Sequence, residues 1–236
     1  MFVRDANQFL LKSELEQIQN GDYEEVGADM APLQTLQIEN IVKKIGDKVI
    51  IDDLSLTCFK DEIFVLIGEN GAGKTTVLQS IAGNHSGLEG NIIACDVNIK
   101  NGLRFLDDFI AFQYSESITI NQLTVEEHIE FYCRFRGIRD RKAVIDQTLA
   151  DFDLKSCSNI VAERVSKTQK KKLNVALALL GHSKIILLDE PTAGMDIVNK
   201  RQIWERILKA KEDKIIIVVT QDMQEAQILG DRIGLM

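Results

Sequence analysis

Gly68-Glu69-Asn70-Gly71-Ala72-Gly73-Lys74-Thr75-Thr76 is a glycine-rich loop closed by a lysine and two hydroxyls. It follows the apolar run Ile63-Phe64-Val65-Leu66-Ile67 and leads into Val77-Leu78-Gln79-Ser80-Ile81, whose spacing suits a helix. Strand, glycine loop and helix in that order form the setting in which main-chain amides wrap a phosphate. Glycines let the amides turn inward with no Cβ in the way, and the helix N-terminus adds a favourable dipole. Lys74 is placed to reach terminal phosphates, and Thr75 to give a hydroxyl to magnesium. Further along, Ile185-Ile186-Leu187-Leu188 ends in Asp189 and Glu190. A continuous apolar run of this kind is the pattern of a strand buried on both faces of a parallel sheet. At its end Asp189 can hold the metal and Glu190 can polarise an attacking water. The two stretches together describe a site for a nucleoside triphosphate.

The elements that must carry these residues are legible at coarse grain. Residues 1–33 read as a separate linker: Gly21 to Asp29 is acidic and glycine-punctuated, with a short helix suggested from Phe9 to Ile18. From Leu36 short β-like runs begin, at Leu36–Ile38, Val49–Ile51 and Leu54–Phe59, as expected of an edge sheet. Gly90–Ile93 and Phe109–Phe112 suit further strands. From Leu123 to about Leu180 the pattern is helical, and Thr124 with Glu127 makes a capping box for Val125–Phe135. Val144–Leu149 continues at helical spacing. Helix over Val198–Ala210, strand over Ile215–Val219, helix over Met223–Leu229 and a last strand at Ile233 complete the order. Strands and helices in alternation imply a parallel sheet, hence an α/β fold.

Composition bounds the function. The 236 residues suffice for one well-cored α/β domain, with 45% apolar and 27% charged residues at ordinary globular values. A net charge of -8 argues against a nucleic-acid partner, whose phosphates want a basic surface. Cys58, Cys95, Cys133 and Cys157 are widely spaced and suit neither a zinc site nor a disulfide framework, so free thiols are expected. No apolar run approaches the roughly 18 residues of a membrane span, and no signal-peptide core opens the sequence.

Leu-Leu-Asp-Glu-Pro-Thr-Ala-Gly-Met-Asp, from Leu187 to Asp196, resembles the Walker B and D-loop of ABC transporter ATPases, and residues 68–76 resemble their Walker A. The Ala-Gly-Met-Asp variant, Leu123–His128 and Ala176–Gly181 resemble the A subfamily, the lipid-exporter type. The resemblance covers roughly residues 35–236. It implies a P-loop NTPase fold over residues 34–236, with a mostly parallel sheet core, an antiparallel β edge subdomain and a helical subdomain at about 121–181. It also implies ATP and Mg2+ as ligands, ATP hydrolysis, and export of lipid or another hydrophobic substrate. The nucleotide contacts fall on Gly68, Glu69, Asn70, Gly71, Ala72, Gly73, Lys74, Thr75 and Thr76. Thr75 and Asp189 hold the metal, and Glu190 and Gln221 serve catalysis. The implied partners are a second nucleotide-binding domain, head to tail, and transmembrane domains outside this sequence, on the cytoplasmic face of a membrane. The sequence stops where A-type domains usually continue, which suggests a fragment.

Four positions depart from the family pattern. The Leu-Ser-Gly-Gly-Gln signature, which touches the partner's ATP, falls on Val165-Ser166-Lys167-Thr168-Gln169, so side chains replace both glycines. The bland reading of Lys170–Lys172 is a helix start with a solvated lysine face. The switch histidine falls on Gln221, a neutral amide that donates hydrogen bonds but carries no charge. His85, His128 and His182 lie elsewhere and read as ordinary histidines. The adenine-stacking aromatic falls on Ile45, and the lid glutamine on Ser115, with Gln113 two residues earlier. Impaired turnover and a heteromeric partner follow. The alternative is a regulatory docking domain that binds ATP without hydrolysing it. A soluble ABC protein acting on ribosomes or DNA is a third class, disfavoured by the acidic balance and the absence of heptads.

Overall fold

The structure, a computed structural model, describes residues 35–84, 86–95, 97–99, 109–116 and 119–236. The expected linker over 1–33, its short helix and His85 lie outside these residues. Among the described residues nine strands form two sheets. β1 (Thr35–Ile45), β2 (Lys48–Phe59), β4 (Leu88–Ala94) and β5 (Val97–Asn98) make an antiparallel sheet in the order β2-β1-β4-β5. β3 (Glu62–Ile67), β6 (Ile110–Gln113), β7 (Ile185–Asp189), β8 (Ile215–Thr220) and β9 (Arg232–Leu235) make a wholly parallel sheet in the order β6-β7-β8-β3-β9.

The parallel sheet is apolar on both faces because both are covered. Ile63, Val65 and Ile67 of β3, with Ile186 and Leu188 of β7, face a core built with the helices α2 (Val125–Phe135), α3 (Arg141–Asp151), α4 (Lys167–Leu179), α5 (Ile197–Lys209) and α6 (Met223–Leu229). Phe64 and Leu66, with Ile185 and Leu187, face the opposite core, where α1 (Lys74–Ile81) and the antiparallel sheet pack. Alternate side chains of one strand therefore enter different cores, as the period of two requires.

One expectation about strands changes, and one strand was not foreseen. Val49–Ile51 and Leu54–Phe59 are one strand: β2 runs through Asp52 and Asp53, with Asp53 left-handed at φ 51. Asn40 on β1 is also left-handed, at φ 46, and its Nδ2 donates to Asp53 Oδ1 at 2.9 Å. The side-chain bond lets two polar residues kink the paired strands without ending them. The two-residue β5 has no period to read.

In the helical stretch the capping box forms as expected. Thr124 Oγ1 accepts the Glu127 N–H at 3.1 Å and Glu127 Oε2 accepts the Thr124 N–H at 2.7 Å. His128 is buried on α2, where Nε2 accepts the Ile120 N–H at 2.9 Å, so Nδ1 carries the proton given to Thr124 O at 2.8 Å. It is an ordinary core histidine. None of the four cysteines is in a disulfide, and Cys58, Cys133 and Cys157 are buried. Among the described residues no helix is long and apolar enough to cross a membrane.

Candidate functional site

Parallel strands deliver their C-terminal ends to one edge, and the strand order decides what meets there. β7, β8 and β3 are consecutive neighbours. The edge therefore presents Asp189 at the end of β7, Glu190 just past it, Gln221 just past β8, and the glycine loop just past β3. The middle strand places Gln221 between the other two, and its Nε2 donates to Asn70 Oδ1 at 2.6 Å and to Glu190 Oε1 at 3.0 Å.

The loop suits an anion in three respects. Gly73 sits at φ 103, and a Cβ there would lie 3.0 Å from Ile50 O, so only glycine keeps this path. Lys74 is 6% exposed, its Nζ donating to Gly68 O at 2.7 Å and Glu69 O at 2.8 Å, which folds the ammonium over the loop. Finally, α1 is the one α-helix among the described residues whose N-cap, Gly73, provides no side-chain bond; α2 to α6 are capped by Thr124, Asp140, Ser166, Asp196 and Asp222. A helix start left without a side-chain acceptor is the place an oxyanion fills.

The acidic side suits a cation. Thr75 Oγ1 donates to Asp189 Oδ2 at 2.9 Å, although the two residues are far apart in sequence. Asp189 is 1% exposed and its Oδ1 is buried with no hydrogen-bond partner. Burial pushes its carboxyl above the usual range, opposed by the Thr75 hydroxyl, the Lys74 charge and a main-chain bond from Ser115. An orphaned buried oxygen on a desolvated carboxylate is a donor waiting for a metal. Burial also raises Glu190, against the Gln221 amide and the Lys74 charge. A carboxylate held half-buried with a raised pKa is suited to accept a proton from water.

The remaining expected positions are placed as follows. Gln113 closes β6 beside Leu188; its side chain is buried, its Nε2 meets Tyr114 O, and its Oε1 has no partner. Ser115 contributes its main chain to Asp189. Ile45 ends β1 and is 61% exposed. Lys167 and Thr168 open α4 behind a capping box of Ser166 and Gln169, with Oγ to N–H at 3.2 Å and N–H to Oε1 at 2.9 Å. The solvated lysine face is corrected: Lys172 is buried, donating to Gln202 Oε1 at 2.8 Å, because α4 packs this side against α5. Lys171 is half-buried and donates to Ala193 O at 3.0 Å. Its ammonium is lowered by burial and supported by Glu190, Glu225 and Asp189. A cavity of about 440 Å³ lies between the first turns of α4, Ser115–Glu116 and Ala193–Met195.

Sequence reasoning missed Glu225. Three residues after the Asp222 N-cap it has the spacing of a capping-box acid. Instead its side chain turns inward, 1% exposed, and one oxygen accepts Thr192 Oγ1–H at 2.7 Å and Trp204 Nε1–H at 2.9 Å.

The sequence profile of the family described as "ABC transporter" matches residues 51–193. The chain is 34% identical over 220 residues to ABC transporter A family member 6 of Dictyostelium discoideum, covering 91% of this chain and 14% of that protein. To the phospholipid-transporting ATPase ABCA3 of Homo sapiens it is 33% identical over 192 residues, 80% of this chain and 11% of that protein. The chain thus spans only a small part of the relatives it matches. Among solved structures, the ATP-binding subunit of an ABC transporter superposes with a TM-score of 0.78 at 22% identity, covering 85% of each chain. The dimeric ATP-binding cassette MJ0796, bound to ADP and Pi, superposes with a TM-score of 0.77 at 24% identity, covering 85% of this chain and 94% of that one. These last two establish likeness of fold.

Proposed function

The chain belongs to the ABC transporter family, with relatives in its A subfamily, and from that premise we propose that residues 34–236 form an ATP-binding domain that hydrolyses ATP slowly to drive export of lipid or another hydrophobic substrate. The observation that carries the reading is the convergence of Lys74, Thr75, Asp189, Glu190 and Gln221 on one sheet edge.

The residues from Gly68 to Thr76 hold the phosphates, with main-chain amides of the loop and Lys74 as the fixed positive groups. Thr75 and Asp189 hold Mg2+, which when bound supplies charge that neutralises phosphate oxygens. Glu190 takes the proton of the attacking water, and Gln221 keeps its carboxylate turned toward the P-loop through Asn70. Gln221 cannot itself take up charge, so it orients and does no acid–base work. Slow turnover follows from that neutral amide and from the self-capped start of α4, where Lys167 and Thr168 obstruct close approach to a partner's ATP. Pairing with a second, better-endowed nucleotide-binding domain on the cytoplasmic face of a membrane, with transmembrane domains on other sequence, suits these asymmetries. Relatives described as phospholipid-transporting support the lipid class.

A second reading, ATP binding without turnover in a regulatory domain, is favoured by the capping box that fills the signature position. Two variants decide. Lys74→Ala should abolish ATP retention in an equilibrium titration; unchanged affinity sinks the site assignment. Glu190→Gln should bind ATP as the parent does and lose phosphate release by about 100-fold or more. Equal release from both proteins favours the regulatory reading.

A further inference from the structure

Glu190 is followed directly by Pro191-Thr192-Ala193, and its own backbone is left-handed at φ 49. A non-glycine residue keeps such a conformation only where its surroundings over-determine it. The Glu190 N–H donates to Val219 O at 2.8 Å and its carbonyl accepts the Ala193 N–H at 3.3 Å. Two side chains from separate helices grip the rest of the segment. From α6, Glu225 takes the Thr192 hydroxyl at 2.7 Å. From α4, Lys171 donates to Ala193 O at 3.0 Å. Both bonds lie outside the loop from Gly68 to Thr76. Glu225 is moreover a carboxylate 1% exposed whose second oxygen is buried without a hydrogen-bond partner. What Thr192 and Trp204 require of Glu225 is an acceptor oxygen held in place between them.

We infer that Glu225 and Lys171 are positioning residues for Glu190: gripping Thr192 and Ala193 from separate helices, they fix the turn that aims its carboxylate at Gln221 and the P-loop. The inference rests on the ATPase reading of the site. Because Lys171 rides on the helix whose first turn occupies the signature position, the grip ties α4 to Glu190 through a single carbonyl.

The test compares single-turnover ATP hydrolysis and equilibrium ATP binding by the full chain and its variants. Thr192→Val and Glu225→Ala should each slow hydrolysis about tenfold, with ATP affinity within about twofold, and the double variant should be no slower than Glu225→Ala alone. Glu225→Gln keeps an acceptor oxygen and should retain the rate within about threefold. Trp204→Phe removes the other donor to the same oxygen and should also stay within about threefold, despite a lower Tm. Lys171→Met should slow hydrolysis with binding retained. Equal losses in Trp204→Phe and Thr192→Val, additive losses in the double variant, or affinity falling in step with rate would overturn the inference and leave the ATPase reading standing. A parent chain that binds ATP but hydrolyses none removes the role of Glu190, and the inference with it, while ATP binding stands. A parent that binds no ATP overturns both. Should Glu225→Ala fail to fold, Thr192→Val and Glu225→Gln carry the same contrast.

Discussion

Asp189 shows how the burial of a single side chain bears on stability. Its carboxyl is 1% exposed, one oxygen bonded to Thr75 and the other without a partner, and burial holds it above the usual carboxylate range. A raised acid binds more protons folded than unfolded, so stability falls as pH rises from the ordinary carboxylate value through the raised one, then stays level. Asp189→Asn, which retains an acceptor for Thr75, should therefore raise the Tm of the nucleotide-free chain at pH 7. The gain should shrink as pH falls toward about 4, below which the parent carboxyl is protonated in both states. Thermal melts across that range, with no gain at neutral pH, would show that Asp189 carries no burial penalty. Lys74, Thr75 and Asp189 were legible because strand, loop and apolar run are local patterns, and each ends at the residue that matters. Glu225 was not: helix-start spacing and an inward carboxylate look the same in one dimension, and only packing against Thr192 and Trp204 tells them apart.

Among the elements, α2 states the basis of its stability in its own sequence. The Thr124–Glu127 box closes its first turn, and Val125, Ile129 and Cys133 bury its inner face without residual exposure. Thr124→Ala should cost about 1 kcal/mol, a fall in Tm of about 2–4 °C, since one N–H loses its acceptor while the buried face is untouched. A melt unchanged by that substitution would place the cap's contribution elsewhere. The helices and parallel strands were readable because their apolar periods are long and their caps local. The antiparallel sheet was harder. Asp52-Asp53 breaks the pattern of β2, yet the strand continues, since Asn40 on the paired strand accepts the kink and Gly90 opposite leaves room for it: a Cβ there would meet Asn40 O at 2.4 Å. Such a bulge is specified by two strands at once, and neither announces it alone.

At the scale of the whole molecule, the chain is asymmetric in what it offers. The P-loop edge brings Thr75 and Asp189 together, while the start of α4 is closed by its own capping box. Two copies meeting head to tail would set Lys167 and Thr168 against each other's nucleotide, and a net charge of -8 on each adds repulsion. Sedimentation of Glu190→Gln with ATP and magnesium should therefore give a monomer at concentrations where self-complementary nucleotide-binding domains pair. A stable ATP-dependent homodimer would remove the argument for an unlike partner. The chain also holds one tryptophan, Trp204, 2% exposed, with its indole N–H on the carboxylate that grips Thr192. That single indole sits next to the turn after Glu190: its emission colour follows the polarity at that nitrogen, so light alone, with no dye attached, reports on that turn in a nucleotide titration.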